Sequence, residues 1–263
     1  MLPLFIADAF TSRPFGGNAA AVCILKEPVA AEWMQGLASE MNLSETAFVV
    51  PRENGFGLRW FTPTVEVDLC GHATLATSHV LWQEHGIPAE QPLEFHTRSG
   101  LLTCRRRDGW IAMNFPTEPA QPIEAPAGLN EALGIEPVSV GKNRFDLIVE
   151  LDSESAVRRV SPDFQKLGAI PVRGTIITAR SDDPEFDFVS RFFAPTVGVN
   201  EDPVCGSAHC CLAPYWSERL GKDRLLGRQV SRRVGIIGVT VVGNRVELRG
   251  QAVTTLRGSV DSP

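Results

Sequence analysis

The sequence repeats itself once, and the repeat spans half of the chain. The segment Arg59-Trp60-Phe61-Thr62-Pro63-Thr64-Val65 has a counterpart in Arg191-Phe192-Phe193-Ala194-Pro195-Thr196-Val197. A Cys-Gly pair and then a tryptophan follow each copy in the same order, at Cys70 and Trp82 and at Cys205 and Trp216. The copies are 132 residues apart at the arginines, 135 at the cysteines and 134 at the tryptophans, about half of the 263 residues. A period this long indicates a gene duplication that gives two pseudo-equivalent domains rather than a solenoid.

Each half combines short strands with one uncharged helix. Alternating or β-branched runs separated by Gly, Pro, Asn and Asp residues predict the strands. These runs are Ala20–Leu25, Ala47–Val50, Gly57–Phe61, Leu93–His96, Leu101–Arg105, Trp110–Phe115, Arg144–Leu151, Gly174–Ala179, Ile236–Val242 and Arg245–Gln251. Helical spacing of apolar residues predicts helices over Gly71–Glu84 and Ser207–Leu220, whose central parts contain no Asp, Glu, Lys or Arg. Because such helices must be surrounded, the sequence predicts an α+β fold of two lobes, residues 1–117 and 118–249, with strands around each helix.

Charge and apolar runs argue against two classes of partner, nucleic acids and membranes. The net charge of −6 leaves no basic excess to neutralise phosphates, and we interpret Arg105-Arg106-Arg107 as a solvated turn. No apolar run approaches the roughly 20 residues that a membrane span needs, and the first eight residues lack the basic start of a signal peptide. Six cysteines without a secretory signal indicate reduced thiols and a cytoplasmic protein. A homodimer is compatible with the sequence, since closed two-fold assemblies are the commonest oligomers.

Cys70 and Cys205 are the first candidates for chemistry. Each thiol precedes a glycine and a predicted helix start, where unpaired backbone N–H groups bind anions and lower the pKa of a nearby thiol. If the two halves face each other, the thiols approach a substrate from opposite sides, as racemisation requires. Backbone N–H groups behind the thiols would stabilise charge on a substrate carboxylate. They belong to Gly71, Ala73, Gly206 and Ala208. Two small buried core residues would also explain this pattern, since Cys is among the most buried residue types.

Three further polar side chains lie close in sequence to these features. Glu45 follows Ser44 in a turn before an apolar strand, where a carboxyl can have a raised pKa and act as acid or base. His72 comes two residues after Cys70 and Asp202 three residues before Cys205, so that both could orient a substrate hydroxyl or amino group. A solvated turn acid, a helix-capping histidine and a turn aspartate are the structural alternatives.

The sequence contains no recognisable cofactor motif. It lacks both glycine-rich nucleotide fingerprints, and its five histidines show no H-x-x-x-H spacing. The cysteines at 205, 210 and 211 do not match a zinc ribbon. We therefore expect no cofactor and no metal, and a small-molecule carboxylate as the substrate.

Five ordered motifs resemble those of the PhzF-like (phenazine biosynthesis) family, from Asp8 to about Val253. They are Asp8-Ala9-Phe10-Thr11 with Pro14-Phe15-Gly16-Gly17-Asn18, Asn42-Leu43-Ser44-Glu45-Thr46, Phe61-Thr62-Pro63, Asp68-Leu69-Cys70-Gly71-His72-Ala73-Thr74, and Glu201-Asp202-Pro203-Val204-Cys205-Gly206-Ser207-Ala208. The resemblance implies the diaminopimelate-epimerase-like fold. Each lobe would be a β-barrel-like mixed sheet around a central helix, with the site in the cleft. The last strand, at about 250–263, would return to the first lobe.

The resemblance also implies roles for individual residues. Glu45 is similar to the family's acid/base residue, which moves a proton between carbons of a cyclic amino or hydroxy acid. His72, Asp202 and Ser207 are similar to its substrate-contacting and proton-relay partners, and Ser44 would contact the substrate beside Glu45.

Two other functions stay open at this level. Cys205 stands where many members carry threonine, and having both Cys70 and Cys205 resembles the two-thiol arrangement of diaminopimelate epimerases and proline racemases. A two-thiol amino-acid racemase or epimerase is therefore the alternative. A non-catalytic protein that binds small carboxylates is the alternative of a different class.

Overall fold

The computed structural model describes all 263 residues and divides into two compact units. Unit 1 comprises residues 1–114 and 249–263, and unit 2 comprises residues 115–248. No helix combines the length and the apolar character that a membrane span requires.

The chain forms 18 strands and six α-helices. The strands are β1 (Leu2–Ala9), β2 (Asn18–Ile24), β3 (Glu45–Pro51), β4 (Phe56–Phe61), β5 (Glu66–Val67), β6 (Leu93–Thr97), β7 (Gly100–Arg107), β8 (Trp110–Pro116), β9 (Gln121–Pro122), β10 (Ser139–Lys142), β11 (Asp146–Glu150), β12 (Gly174–Arg180), β13 (Phe188–Ala194), β14 (Val199–Asp202), β15 (Arg224–Gln229), β16 (Gly235–Val242), β17 (Arg245–Gly250) and β18 (Ala252–Val260). The helices are α1 (Ala31–Met41), α2 (Gly71–Gln83), α3 (Leu129–Leu133), α4 (Glu154–Arg159), α5 (Phe164–Gly168) and α6 (Gly206–Leu220).

Unit 1 is built on a mixed sheet. Strand β1 pairs antiparallel with β18 and with β2, and β2 pairs parallel with β3. Strand β4 pairs antiparallel with β3 and parallel with β6, which continues antiparallel into β7 and β8. The register of the last strand runs from Leu2 opposite Val260 to Ala9 opposite Ala252, so the end of the chain forms part of unit 1.

Unit 2 repeats this pairing scheme. Strand β10 pairs antiparallel with β9 and with β11, and β11 pairs parallel with β12. Strand β13 pairs antiparallel with β12 and parallel with β15, which continues antiparallel into β16. The two parallel pairs, β2–β3 and β11–β12, therefore occupy equivalent positions in the two units.

Helix α2 is the central helix of unit 1. It contacts β1, β2, β3 and β18, and its residues from His72 to Ser78 and from Val80 to Trp82 are all buried. Burial on every side explains why the segment contains no Asp, Glu, Lys or Arg, since an unpaired charge there would be expensive. Its hydroxyl groups at Thr74, Thr77 and Ser78 donate to helix carbonyls four residues earlier, which removes the cost of burying them.

Helix α6 is the equivalent helix of unit 2 and contains a proline. Pro214 has no N–H, so the carbonyl of Cys210, four residues earlier, loses its intrahelical donor. The backbone N–H of Glu118 donates to this carbonyl at 2.9 Å and replaces the missing bond. The helix ends at Gly221 in the left-handed conformation, with φ of 65°.

The structure confirms the predicted α+β class and the two helices with uncharged central parts, which begin at Gly71 and Gly206. No local pattern predicted β1, β5, β9, β10, β13, β14 or β15, and a strand at about 250–263 was expected only from the family resemblance. The interpretation of the arginine run as a turn was wrong, because Arg105–Arg107 lies on β7, with successive residues paired to β8. All six cysteines are free thiols and buried.

Candidate active site

In unit 1, three predicted residues meet at the start of α2. Cys70 is the N-cap residue, in extended conformation, and its side chain does not cap the helix. The Cys70 Sγ lies 3.5 Å from Nδ1 of His72, and the other ring nitrogen, Nε2, lies 3.2 Å from Oε2 of Glu45. Glu45 reaches this position as the first residue of β3. The three side chains form a chain of polar contacts in the order thiol, imidazole, carboxylate.

A fourth residue, Asn18, completes this cluster. Its side-chain Nδ2 lies 3.3 Å from His72 Nδ1, and Asn18 is 1% exposed. Burial lowers the pKa of the His72 imidazole to about 3, so that the ring is neutral at pH 7. Glu45 is partly accessible, with 18% of its side chain exposed. A carboxylate beside a neutral imidazole is a plausible general base for a carbon-bound proton.

The same three side chains are potential metal ligands. Their donor atoms lie within 4.8 Å of one another, a spacing that an ion such as zinc could bridge. However, Cys70 contacts Nδ1 of His72 whereas Glu45 contacts Nε2. Ligands of one ion would converge on a single imidazole nitrogen. The observed contacts therefore favour proton transfer over coordination.

In unit 2, the start of α6 carries a different set of groups. Cys205 is the N-cap residue, and its Sγ lies 3.3 Å from Oγ of Ser207. The guanidinium of Arg173 donates from Nη2 to the same Ser207 oxygen at 3.1 Å. Arg173 also donates to both carboxylate oxygens of Asp146, at 2.8 Å from Nε and through Nη2. Asp146 is 1% exposed, so the guanidinium is held on a buried, rigid partner.

These contacts set the charge of the unit 2 site. Burial alone would lower the pKa of Arg173, but the paired Asp146 outweighs it and raises the pKa, so the guanidinium remains charged. Burial and the negative charge of Asp202 raise the pKa of the Cys205 thiol. This result opposes the expectation that the helix N-terminus lowers it. The charged group that contacts Ser207 is the guanidinium of Arg173, whose counter-ion is Asp146, and the thiol is neutral at pH 7.

The remaining predicted residues lie around the two helix starts. Asp202 ends β14, and its main-chain carbonyl accepts from Nε2 of Gln229 at 2.7 Å. The Gln229 Oε1 accepts the N–H of Cys205 at 3.0 Å, which ties the backbone of Asp202 to that of the thiol. Ser44 is half-buried in the turn before Glu45. The N–H groups of Gly71, His72, Ala73, Gly206, Ser207 and Ala208 belong to first helical turns, where no intrahelical acceptor exists.

Strand register aligns the two sites residue by residue. Arg59 lies opposite Phe48 of β3, and its repeat counterpart Arg191 lies opposite Ile177 of β12. Glu45, three residues before Phe48, therefore corresponds to Gly174, three residues before Ile177. A Cβ added at Gly174 would lie 2.3 Å from Cζ of Phe192, so this position has no room for a side chain. Unit 2 thus lacks a carboxylate at the position of Glu45.

Sequence reasoning missed Arg173, Asp146, Gln229 and the role of Asn18 at the site. Asn18 belongs to a quoted motif, but its neighbour His72 is 54 residues away, and Arg173 is 27 residues from Asp146. Separations of this length along the chain leave no periodic pattern in the sequence. An alignment of the two halves on their parallel strand pairs would have placed Arg173 at the position equivalent to Ser44, one residue before the position equivalent to Glu45.

Comparisons with known proteins agree with this architecture. Residues 7–258 match the family model described as phenazine biosynthesis-like protein, PhzC-PhzF. An uncharacterized isomerase of Halalkalibacterium halodurans is 52% identical over 259 residues, 98% of each chain. The crystal structure of a PhzF-family protein from Enterococcus faecalis has a TM-score of 0.95 and 41% identity, with 99% of each chain covered.

A more distant structure shares only the fold. A hydroxyproline epimerase from Agrobacterium vitis, solved with bound trans-4-hydroxy-L-proline, has a TM-score of 0.62 and 14% identity over 98% of this chain and 91% of its own. The family match covers most of the sequence, and the relative at 52% identity carries the name of an isomerase. The chain therefore belongs to the phenazine biosynthesis-like PhzC-PhzF family and is an enzyme of the isomerase class.

Proposed function

We propose that the enzyme moves a proton between carbons of a small amino or hydroxy carboxylic acid, without a cofactor, and that Glu45 carries the proton. The observation that supports this most is that only one of the two positions equivalent by the repeat carries a carboxylate. Unit 1 has Glu45 in contact with His72, whereas unit 2 has Gly174, closed by Phe192, at the equivalent position. One carboxylate can remove a proton from one carbon and return it to another.

The chemistry balances without a redox partner. The Glu45 carboxylate accepts a proton as one C–H bond breaks, and the electron pair is delocalised onto the conjugated carboxylate of the substrate. The carboxylic acid of Glu45 then returns the proton to a second carbon, and the carboxylate is regenerated. Backbone N–H groups at the start of α2 would stabilise the negative charge that develops on the substrate.

The remaining groups would bind and orient the substrate. Arg173 and Ser207 supply a fixed positive charge and a hydroxyl, which suit a carboxylate. Asp202 would hold an amino or hydroxyl substituent, whereas His72 would act through its contact with Glu45. Cytoplasmic location and assembly as a homodimer stay predictions.

Deuterium incorporation from D₂O, followed by NMR, tests this proposal. Amino acids, cyclic amino acids and dihydro-hydroxyanthranilate-like acids would be incubated with the wild type, with Glu45→Gln and with the control Glu40→Gln, which changes an exposed acid on α1. We expect exchange with at least one acid, a loss of 10³-fold or more in Glu45→Gln, and no change in Glu40→Gln or after EDTA treatment. A fully active Glu45→Gln enzyme would exclude the glutamate mechanism.

A two-thiol racemase or epimerase is the second candidate, favoured by Cys70 and Cys205 as equivalent N-cap residues. Either Cys→Ser substitution should then stop racemisation, and substrate should block alkylation of the thiols. The raised pKa of Cys205 counts against this candidate, since a neutral thiol is a poor base. A binding protein would instead be stabilised by an acid without exchanging its protons.

A further inference from the structure

Asn18 is fixed in place by an unusually tight approach of two backbone segments. Gly17, the preceding residue, has φ of +57°, and a Cβ there would lie 2.0 Å from the carbonyl oxygen of Ala9. Only glycine fits this position, which explains the Gly-Asn pair in the sequence. Asn18 then begins β2 opposite Ala9 of β1, and its side chain is directed towards the start of α2.

The contact with Asn18 determines whether Nδ1 of His72 carries a hydrogen. The Asn18 Nδ2 carries two hydrogens and acts only as a donor, so the ring nitrogen 3.3 Å away has to accept. The Cys70 thiol, 3.5 Å from the same nitrogen, is a second potential donor. Both neighbours of Nδ1 therefore favour a ring in which Nδ1 carries no hydrogen.

The opposite side of the ring leads independently to the same tautomer. Nε2 lies 3.2 Å from Oε2 of Glu45, and an ionised carboxylate is only an acceptor. A ring lone pair that faced a carboxylate would be repelled, so Nε2 has to carry the hydrogen. The neutral, buried ring holds one hydrogen, and both contacts assign it to Nε2.

We propose that Asn18 is a positioning residue that holds His72 as the Nε2–H tautomer and thereby keeps an N–H, rather than a ring lone pair, 3.2 Å from the carboxylate of Glu45. The positive end of this N–H dipole stabilises the ionised form of Glu45, which accepts a proton from carbon. Once Glu45 is protonated, a ring locked as Nε2–H offers no lone pair to its O–H, so the proton is left to the substrate. The consequence for turnover rests on the proposed function of Glu45, whereas the tautomer itself does not.

Nitrogen NMR of protein labelled with ¹⁵N-histidine measures the tautomer directly and needs no substrate. The chain has only five histidines, and His72→Gln identifies the His72 signals by their loss. In the wild type at pH 7.5 we expect a protonated Nε2 and an unprotonated Nδ1. In Asn18→Asp, a near-isosteric variant whose side chain is an acceptor, Nδ1 should become protonated. Asn244→Asp, in an exposed turn, is the matched control and should change neither nitrogen of His72.

Turnover separates a positioning role from a structural one. We expect Asn18→Asp to lower kcat about 10- to 100-fold with a change in KM below about threefold, while Asn244→Asp keeps wild-type kcat.

A wild-type His72 with a protonated Nδ1 would overturn the proposal even if Asn18→Asp does not fold. So would an Asn18→Asp enzyme with unchanged Nδ1 or unchanged kcat. If the tautomer behaves as expected but Glu45→Gln still exchanges deuterium, the proposed function fails and the tautomer assignment stands.

Discussion

The start of α2 in unit 1 and the start of α6 in unit 2 are equivalent by the repeat but carry different chemistry. Both helices begin after a cysteine N-cap followed by glycine. The second helical residue is His72 in unit 1, where it contacts a carboxylate, and Ser207 in unit 2, where it accepts from a guanidinium. The helix starts, which suit anions, are common to both units, whereas the carboxylate at the position of Glu45 is present only in unit 1.

The arginine–glutamate ion pairs that lie away from the two helix starts differ much less between the units. Arg59 forms a bidentate ion pair with Glu66 at 2.7 and 2.8 Å, and Arg191 forms the equivalent pair with Glu201 at 2.7 and 3.0 Å. Each guanidinium also stacks on a phenylalanine two residues later, at 5.1 and 4.8 Å from the ring centre. Ion pairs that are present in both units therefore stabilise the fold, whereas the residues that differ between the units are the candidates for the reaction.

The first expected difference is between His72 and its counterpart Ser207. We expect His72→Gln to lower kcat about 100-fold, because the imidazole beside the Glu45 carboxylate is lost. Ser207→Ala should lower kcat less than about 10-fold and act mainly on KM. Steady-state kinetics of the two variants on one exchanging acid measures both. Equal losses of kcat would show that both helix starts take part in proton transfer.

The two arginine–glutamate ion pairs predict a difference in stability. Arg191 additionally donates to the carbonyls of Val157 and Val160, at 3.2 and 2.6 Å, at the end of α4. Arg191→Gln should therefore lower the free energy of unfolding by about 2 kcal/mol, and Arg59→Gln by about 1 kcal/mol. Urea unfolding of the two variants tests this order. A larger loss in Arg59→Gln would contradict it.

Gly174 tests whether the position equivalent to Glu45 is sterically closed. Gly174→Ala should cost about 1–3 kcal/mol, because its Cβ would overlap the ring of Phe192 and lie 3.0 Å from the carbonyl oxygen of Phe193. Gly36→Ala in α1 is the control in unit 1, since a Cβ there meets nothing within 4 Å, and it should stabilise the helix by about 0.5–1 kcal/mol. Thermal unfolding of both variants measures the difference, and a neutral Gly174→Ala would mean that this position could accept a side chain.

Arg173 is expected to act on binding. Arg173→Lys keeps the charge but loses the planar fork that bonds Asp146 and Ser207 together, so KM should rise about 10-fold with kcat within about threefold. Arg180→Lys, at the exposed end of β12, should leave both constants unchanged. A fall in kcat alone would place Arg173 in the chemical step.

The sequence predicted those parts of the fold that have a local pattern. The absence of charge across α2 and the central part of α6 indicated buried helices, and alternation indicated most of the strands. Strand β1 was missed because its run includes Pro3 and does not alternate. Strand β18, with four of its nine residues exposed, has no local pattern, so only the family resemblance indicated a strand there. The partners of these strands lie about 250 residues apart, and no local pattern records such a pairing.

Residues of the site could be predicted only where they belong to a sequence motif. Glu45 in its turn is a weak signal by spacing alone, and the family resemblance singled it out. The contact of Arg173 with Asp146 depends on the pairing of β11 with β12, and the contact of Asn18 with His72 depends on the packing of α2 against β2. Both bring together side chains that are far apart in sequence. The raised pKa of the Cys205 thiol was also beyond the sequence, because it results from burial and from the position of Asp202.

Deuterium incorporation by Glu45→Gln and Cys205→Ser, measured side by side on one acid that the wild type exchanges, tests the central claim most directly. We predict that Glu45→Gln loses exchange by 10³-fold or more, because unit 2 has glycine, Gly174, at the equivalent position, whereas Cys205→Ser keeps exchange within about 10-fold of the wild type. Loss of exchange in Cys205→Ser with retention in Glu45→Gln would contradict the account and establish a thiol racemase.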